Sequence, residues 1–198
     1  MKLIIQIPCY NESRNLPITL DALPKKVEGF DTVEWLIIND GSTDDTVKIA
    51  KEFGVKHIIN LKQNQGLAKG FLYGIKRCVE LGADVIVNTD ADNQYNAQDI
   101  PKLIKPILEG KADYVIGERP ISKTAHFSPI KKFLQKLGSR VVQKASATKI
   151  PDAPSGFRAM SRECALELNV YNEYTYTLET IIQAGQKNMA ICSVPIRT

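Results

Sequence analysis

Short apolar runs alternate with stretches of helical spacing along most of the chain. Residues 3–8, 34–39, 56–61, 84–89 and 113–117 are rich in Ile, Val and Leu and too short for core helices. Several are apolar nearly throughout, the pattern of central parallel strands covered on both faces. Helical segments with recognisable ends lie between them. Ser42, Thr43, Asp44 and Asp45 form a capping cluster for a helix that runs to Phe53 and stops at Gly54. A second helix spans residues 67–81 and stops at Gly82, and a third spans 99–109 and stops at Gly110. This alternation predicts an α/β fold, a doubly wound and mostly parallel sheet flanked by helices.

After Gly117 the rhythm changes. Residues 129–145 place Ile130, Phe133, Leu134, Leu137, Val141, Val142 and Ala145 at helical spacing, a clean apolar stripe. The opposite face holds Lys131, Lys132, Lys136, Arg140 and Lys144. Two further strands, 157–161 and 190–196, flank a helix near 177–184. A chain of 198 residues with no repeat, low-complexity tract or linker reads as one domain. It stops just after a strand, which suggests a native chain that continues beyond Thr198.

Charge sharpens this picture. The net charge is +4, yet eight basic residues fall between Arg119 and Lys149, and no Asp or Glu lies between Glu118 and Asp152. The remainder holds 18 basic against 22 acidic residues. One segment therefore carries the cationic character and calls for an anionic partner. The basic helix has two readings: a solvated face on a packed helix, or a helix at a membrane surface near anionic headgroups. Aromatics are sparse there and no nucleic-acid motif appears, so nucleic acid is not an expected partner. No apolar run approaches the roughly 18 residues of a membrane span, and no signal peptide opens the chain. Cys9, Cys78, Cys164 and Cys192 are far apart and form no metal-binding pair, as expected of reduced thiols in a cytoplasmic protein.

The candidate chemistry collects where strands end. The first strand runs into Pro8-Cys9-Tyr10-Asn11-Glu12, the second into Asn39-Asp40-Gly41-Ser42. The third is followed by Asn64-Gln65-Gly66, the fourth by Asp90-Ala91-Asp92-Asn93-Gln94. In a parallel sheet these four clusters share one rim, where ligands bind. Asp90 and Asp92 are the most informative. Two carboxylates so close disfavour joint ionisation. A hard divalent cation removes the repulsion and takes its remaining ligands from substrate phosphate and water. Asp40 reads either as an acceptor for a base or ribose hydroxyl or as a cap of the following helix. Tyr10 offers a face for a planar base, and Glu12 is either a ligand or a capping carboxylate.

These motifs, together with Asp152-Ala153-Pro154-Ser155-Gly156-Phe157-Arg158, resemble the large inverting GT-A glycosyltransferase family in order and spacing. Within it they are most similar to the dolichyl-phosphate mannose synthase branch, which moves a sugar onto a polyprenyl phosphate. The resemblance implies a GT-A catalytic domain, with residues 1–117 binding the nucleotide sugar and 118–198 the acceptor. It implies that Pro8, Tyr10, Asn11, Glu12, Asp40, Asn64, Gly66, Asp90, Ala91 and Asp92 line the donor, and that Asp90, Asp92 and Gln94 hold Mg²⁺ or Mn²⁺. Arg119 would meet the acceptor phosphate, with Lys132, Arg140, Ser155, Gly156 and Arg158 shaping the acceptor side. Asp92, Arg119, Asp152 and Glu179 are the candidate catalytic residues. The sequence departs from the family where Asn39 stands for a first Asp, Asn96 for a Pro, and Lys131 and Lys132 for a second acceptor Arg.

The expected activity is metal-dependent, inverting transfer from a GDP- or UDP-sugar to a polyprenyl phosphate at the cytoplasmic face of a membrane. A phosphate acceptor is already an anionic nucleophile and requires no strong base, which fits motifs that contain no histidine. The alternative is the same fold acting on a hydroxyl of a saccharide or lipid, with Asp152 or Glu179 as base. A sugar-1-phosphate nucleotidyltransferase is disfavoured because residues 8–14 do not form the expected Gly-rich basic loop. A non-catalytic binding module is disfavoured by the intact Asp90/Asp92 pair.

Overall fold

The computed structural model describes residues 1–120 and 138–198 in full and residues 129–137 as helix only. The expected strands form as β1 (Lys2–Cys9), β2 (Thr32–Asn39), β3 (His57–Asn60), β4 (Val85–Asn88), β5 (Tyr114–Glu118), β6 (Arg158–Ser161) and β7 (Ile191–Pro195). Helices α1 (Leu16–Ala22), α2 (Thr46–Glu52), α3 (Leu67–Glu80), α4 (Ile100–Leu108), α5 (Pro129–Ser146), α6 (Arg162–Glu167) and α7 (Thr177–Gln186) connect them. One seven-stranded sheet runs in the order β3-β2-β1-β4-β6-β5-β7.

The alternation of β1 shows why the strands are apolar throughout. Leu3, Ile5 and Ile7 face a core completed by Leu16, Leu20, Ala50, Ile100 and Leu103, from α1, α2 and α4. Ile4 faces the other way, onto a core built with Phe71, Ile75, Cys164 and Ile181, from α3, α6 and α7. A strand buried on both faces has no polar side to show.

Four elements differ from the sequence reading. Helices α1 and α6 were not expected: each is seven residues or shorter, too short for periodicity to stand out. Strand β6 is antiparallel to both neighbours, β4 and β5. It therefore starts where the others end, so residues 152–157 arrive on the ligand rim. Helix α2 begins at Thr46, and its N-cap Asp45 makes no side-chain cap bond. Asp44 instead accepts from the backbone N–H of Thr46 and of Ser13, both at 3.0 Å. Burial works against its charge, but hydrogen bonds from the side chains and then the backbones of Thr46 and Ser13 outweigh it and hold its pKa down at about 2. The cluster thus ties two loops together as well as starting a helix.

Candidate active site

β1 pairs with β2 on one side and β4 on the other, all parallel. The winding direction reverses between β1 and β4, which opens a crevice beyond their carboxyl ends. A cleft of about 440 Å³ lies there, a volume suited to a small-molecule ligand. Pro8, Tyr10, Glu12, Asp40, Asn64, Gly66, Asp90, Ala91 and Asp92 line it, joined by Cys9, Leu67 and Gly70. Nine of the ten residues expected at the donor thus converge. Asn11 does not line the cleft. Its backbone is left-handed, with φ 56°. Its Oδ1 accepts from Thr43 N–H at 2.8 Å and its N–H donates to Ser42 Oγ at 2.9 Å. Asn11 staples the β1 loop to the β2 loop rather than touching the cleft.

Asp40 lines the cleft but does not cap the helix that follows it. Its two carboxylate oxygens accept from Gln65 N–H at 2.7 Å and Gly66 N–H at 2.9 Å. Those are the residues that lead into α3, so Asp40 fixes the loop that begins that helix while lining the cleft. The neighbouring Gly41 makes the approach feasible. Its φ is 73°, and a Cβ there would lie 2.5 Å from the Gln63 carbonyl carbon.

Asp90 and Asp92 line the same cleft, as their spacing implied. The Asp90 pKa is pushed up from 3.8 to about 6, first by burial and then by the Asp92 charge. Arg119, a hydrogen bond from Tyr95 and Arg158 act in the opposite direction. A metal-free pair is thus held in an unfavourable state, which a cation would relieve. Among the described residues no group of three or more His, Cys, Asp or Glu side chains could hold a metal. Two carboxylates, with Gln94 in the same cavity wall as Asp90, suit a hard cation that fills its shell from diphosphate and water. The residues present fit Mg²⁺ or Mn²⁺ in that sense.

A second cavity adjoins the first and shares Leu67 and Asp90 with it. Gln94, Tyr95, Arg119, Pro154, Gly156 and residues 175–178 complete its wall. Arg119 is clamped by Asp152, whose Oδ2 accepts from Nε at 2.8 Å and whose Oδ1 accepts from Nη2 at 2.9 Å. The pairing raises the Arg119 pKa further. Asp152 is 1% exposed and also accepts from Arg119 N–H. It is a bound partner, not a free base.

The remaining expected site residues separate into distinct places. Gly156 lies against Asp90: a Cβ there would sit 3.1 Å from both carboxylate oxygens. Ser155 is fully buried. Arg158 is fully buried too, donating to Ser155 O, Ala153 O, Tyr114 Oη and Thr180 Oγ1 at 2.6–2.9 Å. It braces the 152–158 turn from below and cannot reach an acceptor. Glu179 lines neither cavity of the rim; its carboxylate accepts from the N–H groups of Tyr171 and Asn172. Arg140 is solvent-exposed on α5 and lines neither cavity. The Lys132 side chain lies outside the described residues. Sequence reading missed Tyr95, Asn88 and Tyr176. They look like core residues in a sequence, because only the antiparallel β6 brings Gly156 against them.

Fold and rim together define a class, the GT-A transferases that bind a nucleotide sugar beyond a parallel sheet. The chain belongs to glycosyl transferase family 2, whose family model matches residues 4–168. Among its relatives is the UDP-N-acetylglucosamine–dolichyl-phosphate N-acetylglucosaminyltransferase of Methanococcus voltae, 31% identical over 97% of this chain and 83% of that protein. The undecaprenyl-phosphate mannosyltransferase of Micrococcus luteus is 27% identical over 99% of this chain and 83% of that protein. A crystal structure of glucosyl-3-phosphoglycerate synthase from Mycobacterium tuberculosis, with Mn²⁺, UDP and glucosyl-3-phosphoglycerate, superposes with a TM-score of 0.79. It covers 98% of this chain and 70% of that one at 19% identity, a likeness of fold. No helix among the described residues is long and apolar enough to cross a membrane.

Proposed function

We propose that this glycosyltransferase moves a sugar from a UDP- or GDP-sugar to a polyprenyl phosphate, with inversion at the anomeric carbon. The observation that carries the reading is the second cavity. It sets a clamped cation, Arg119, in the same wall as the donor-side carboxylate Asp90. Both carboxylates that the hydroxyl-acceptor alternative would use as a base are occupied, Asp152 by Arg119 and Glu179 by backbone N–H groups. An acceptor that arrives as an anion needs a positioned positive charge and no base. Relatives named for dolichyl and undecaprenyl phosphate support the same acceptor class.

In this reading the nucleoside diphosphate occupies the first cleft, with Tyr10 against the base. Asp40 fixes the start of α3, and the Gly66–Leu67 edge borders the ligand. Asp90 and Asp92, with Gln94, hold Mg²⁺ or Mn²⁺, which stabilises charge developing on the leaving diphosphate. Asp152 occupies the Nε–Nη2 edge of Arg119, so an acceptor phosphate meets the guanidinium on its Nη1–Nη2 side. Catalysis then rests on in-line placement of the phosphate oxygen and on leaving-group stabilisation. Residues 1–117 serve the donor and 118–198 the acceptor. The lysine-rich face of α5 approaches anionic headgroups at the cytoplasmic surface of the membrane that carries the acceptor.

The test is a transfer assay with a panel of UDP- and GDP-sugars, with and without Mn²⁺, offering polyprenyl phosphate and the matching neutral alcohol. Metal-dependent product on the phosphate alone is expected. Efficient transfer to the neutral alcohol, with none to the phosphate, overturns the acceptor assignment.

A further inference from the structure

The peptide unit of Gly156 is gripped at both ends. Its N–H donates to Tyr95 Oη at 3.0 Å. Its carbonyl accepts from Asn88 Nδ2 at 2.9 Å, and the same Nδ2 donates to Tyr176 Oη at 2.9 Å. Asn88 is itself fixed, because its Oδ1 accepts from Gln6 Nε2 at 2.9 Å. These groups are buried, where an unpaired partner would be costly. Both aromatic rings are immobilised by stacking. Tyr95 lies on Phe157 with centroids 5.1 Å apart, and Tyr176 lies on Phe71 at 3.6 Å.

Tyr95 Oη accepts the Gly156 N–H, so the hydroxyl holds the turn in place. The Asp90 carboxylate also rests directly on Gly156, leaving no room for a side chain without displacement. Four residues earlier on the same turn, Asp152 holds Arg119, and the turn is closed by Ser155 N–H donating to Asp152 O at 3.2 Å. One short turn therefore mounts two charged groups of the second cavity, Asp90 at one end and Arg119 at the other.

We infer that Tyr95 is a positioning residue, which locks the 152–156 turn against Asp90 and so fixes the donor-side carboxylate relative to Arg119. The inference rests on the reading of Asp90 as a cation ligand. The mount holds Gly156 against the Asp90 carboxylate through the bond from Gly156 N–H to Tyr95 Oη, which phenylalanine cannot supply. The ring of Tyr95, by contrast, serves packing and survives the change to phenylalanine.

The experiment compares the parent protein with Tyr95→Phe and Gly156→Ala. Mn²⁺ binding in the presence of UDP or GDP is followed by electron paramagnetic resonance. Metal-free nucleotide binding and thermal unfolding are measured in parallel. Tyr95→Phe is expected to weaken Mn²⁺ binding about tenfold, the size of one hydrogen bond whose buried N–H is left unpaired. Metal-free nucleotide binding should be unchanged and the unfolding transition still cooperative. Gly156→Ala should give a similar Mn²⁺ defect by pushing on the same carboxylate. The inference is overturned if Tyr95→Phe binds Mn²⁺ as the parent does. It is equally overturned if metal-free nucleotide binding falls by the same factor, since that would mark a general structural role. A parent protein that binds Mn²⁺ with neither nucleotide overturns the cation reading itself, and the inference with it.

Discussion

Replacing Asp90 with asparagine should stabilise the metal-free protein while abolishing transfer. The carboxyl is held at a pKa of about 6, against 3.8 in a free chain, chiefly by burial and next by the charge on Asp92. Between those values the native state keeps a proton that the unfolded chain releases. Metal-free stability therefore falls as pH rises through that window and stays lowered above it. The displacement converts to about 3 kcal/mol near neutral pH, a ceiling because Asp90 is partly exposed. For a chain of this size that is at most roughly 6–12 °C in Tm. The asparagine keeps the shape of the carboxylate but carries no charge. The assay is thermal unfolding in chelator, for parent and Asp90→Asn, from about pH 5 to 8. The variant should melt higher near neutral pH, with the gap narrowing toward the acid end. Mn²⁺ with nucleotide at 100 times its dissociation constant should then raise the parent by about 2.7 kcal/mol and the variant by far less. A variant that melts below the parent at neutral pH in chelator, or a gap that does not shrink on acidification, refutes the electrostatic argument.

Asp40→Ala releases the N–H groups of Gln65 and Gly66 and should weaken nucleotide binding by about 1–3 kcal/mol in calorimetry; unchanged binding would leave Asp40 a purely structural residue. Arg158→Met leaves four buried acceptors without their donor and should cost on the order of 3–5 kcal/mol in urea unfolding. Arg119→Lys loses the fork that Asp152 grips, so transfer to polyprenyl phosphate should fall far more than donor affinity in steady-state kinetics. Neutralising Lys131, Lys132, Lys136 and Lys144 together should reduce binding to anionic vesicles in co-sedimentation, by about 1 kcal/mol for each lysine near the surface.

The donor half was largely legible in the sequence, and the acceptor half much less so. A parallel sheet converts strand ends into a shared rim whatever the loops do. Pro8, Asp40, Asn64 and Asp90 could thus be placed together from strand spacing alone. Nothing local says that β6 runs backwards. Once it does, Arg158, at its first position, pairs with Asn88 on β4 and lies buried under the rim rather than on it. The same reversal explains Tyr95, whose hydroxyl has no visible purpose until Gly156 arrives beside it. Asp152 and Glu179 look like free carboxylates in a sequence because their partners are 33 positions away, or backbone.

The placement of Arg158 also bears on why the carboxylate pair is tolerable. A fully buried guanidinium is expensive unless its charge is answered. Among the described residues its hydrogen bonds go to two carbonyls and two hydroxyls, with the Tyr114 and Tyr176 rings at 5.7 and 5.4 Å from its central carbon. None of these carries a full negative charge. Asp90 feels the guanidinium charge: Arg119 first and then Arg158 lower its pKa against burial and the Asp92 charge. The two arginines differ in what they give up. Arg119 pairs with Asp152 yet still lowers the Asp90 pKa more than Arg158 does, and it keeps its place in the cavity wall. Arg158 adds a smaller effect and has no access to the rim. Neither arginine supplies a ligand to the pair, and together they do not cancel burial and the Asp92 charge, since the Asp90 pKa stays at about 6. The pair therefore remains under-compensated, and a cation arriving with a diphosphate supplies the charge it lacks.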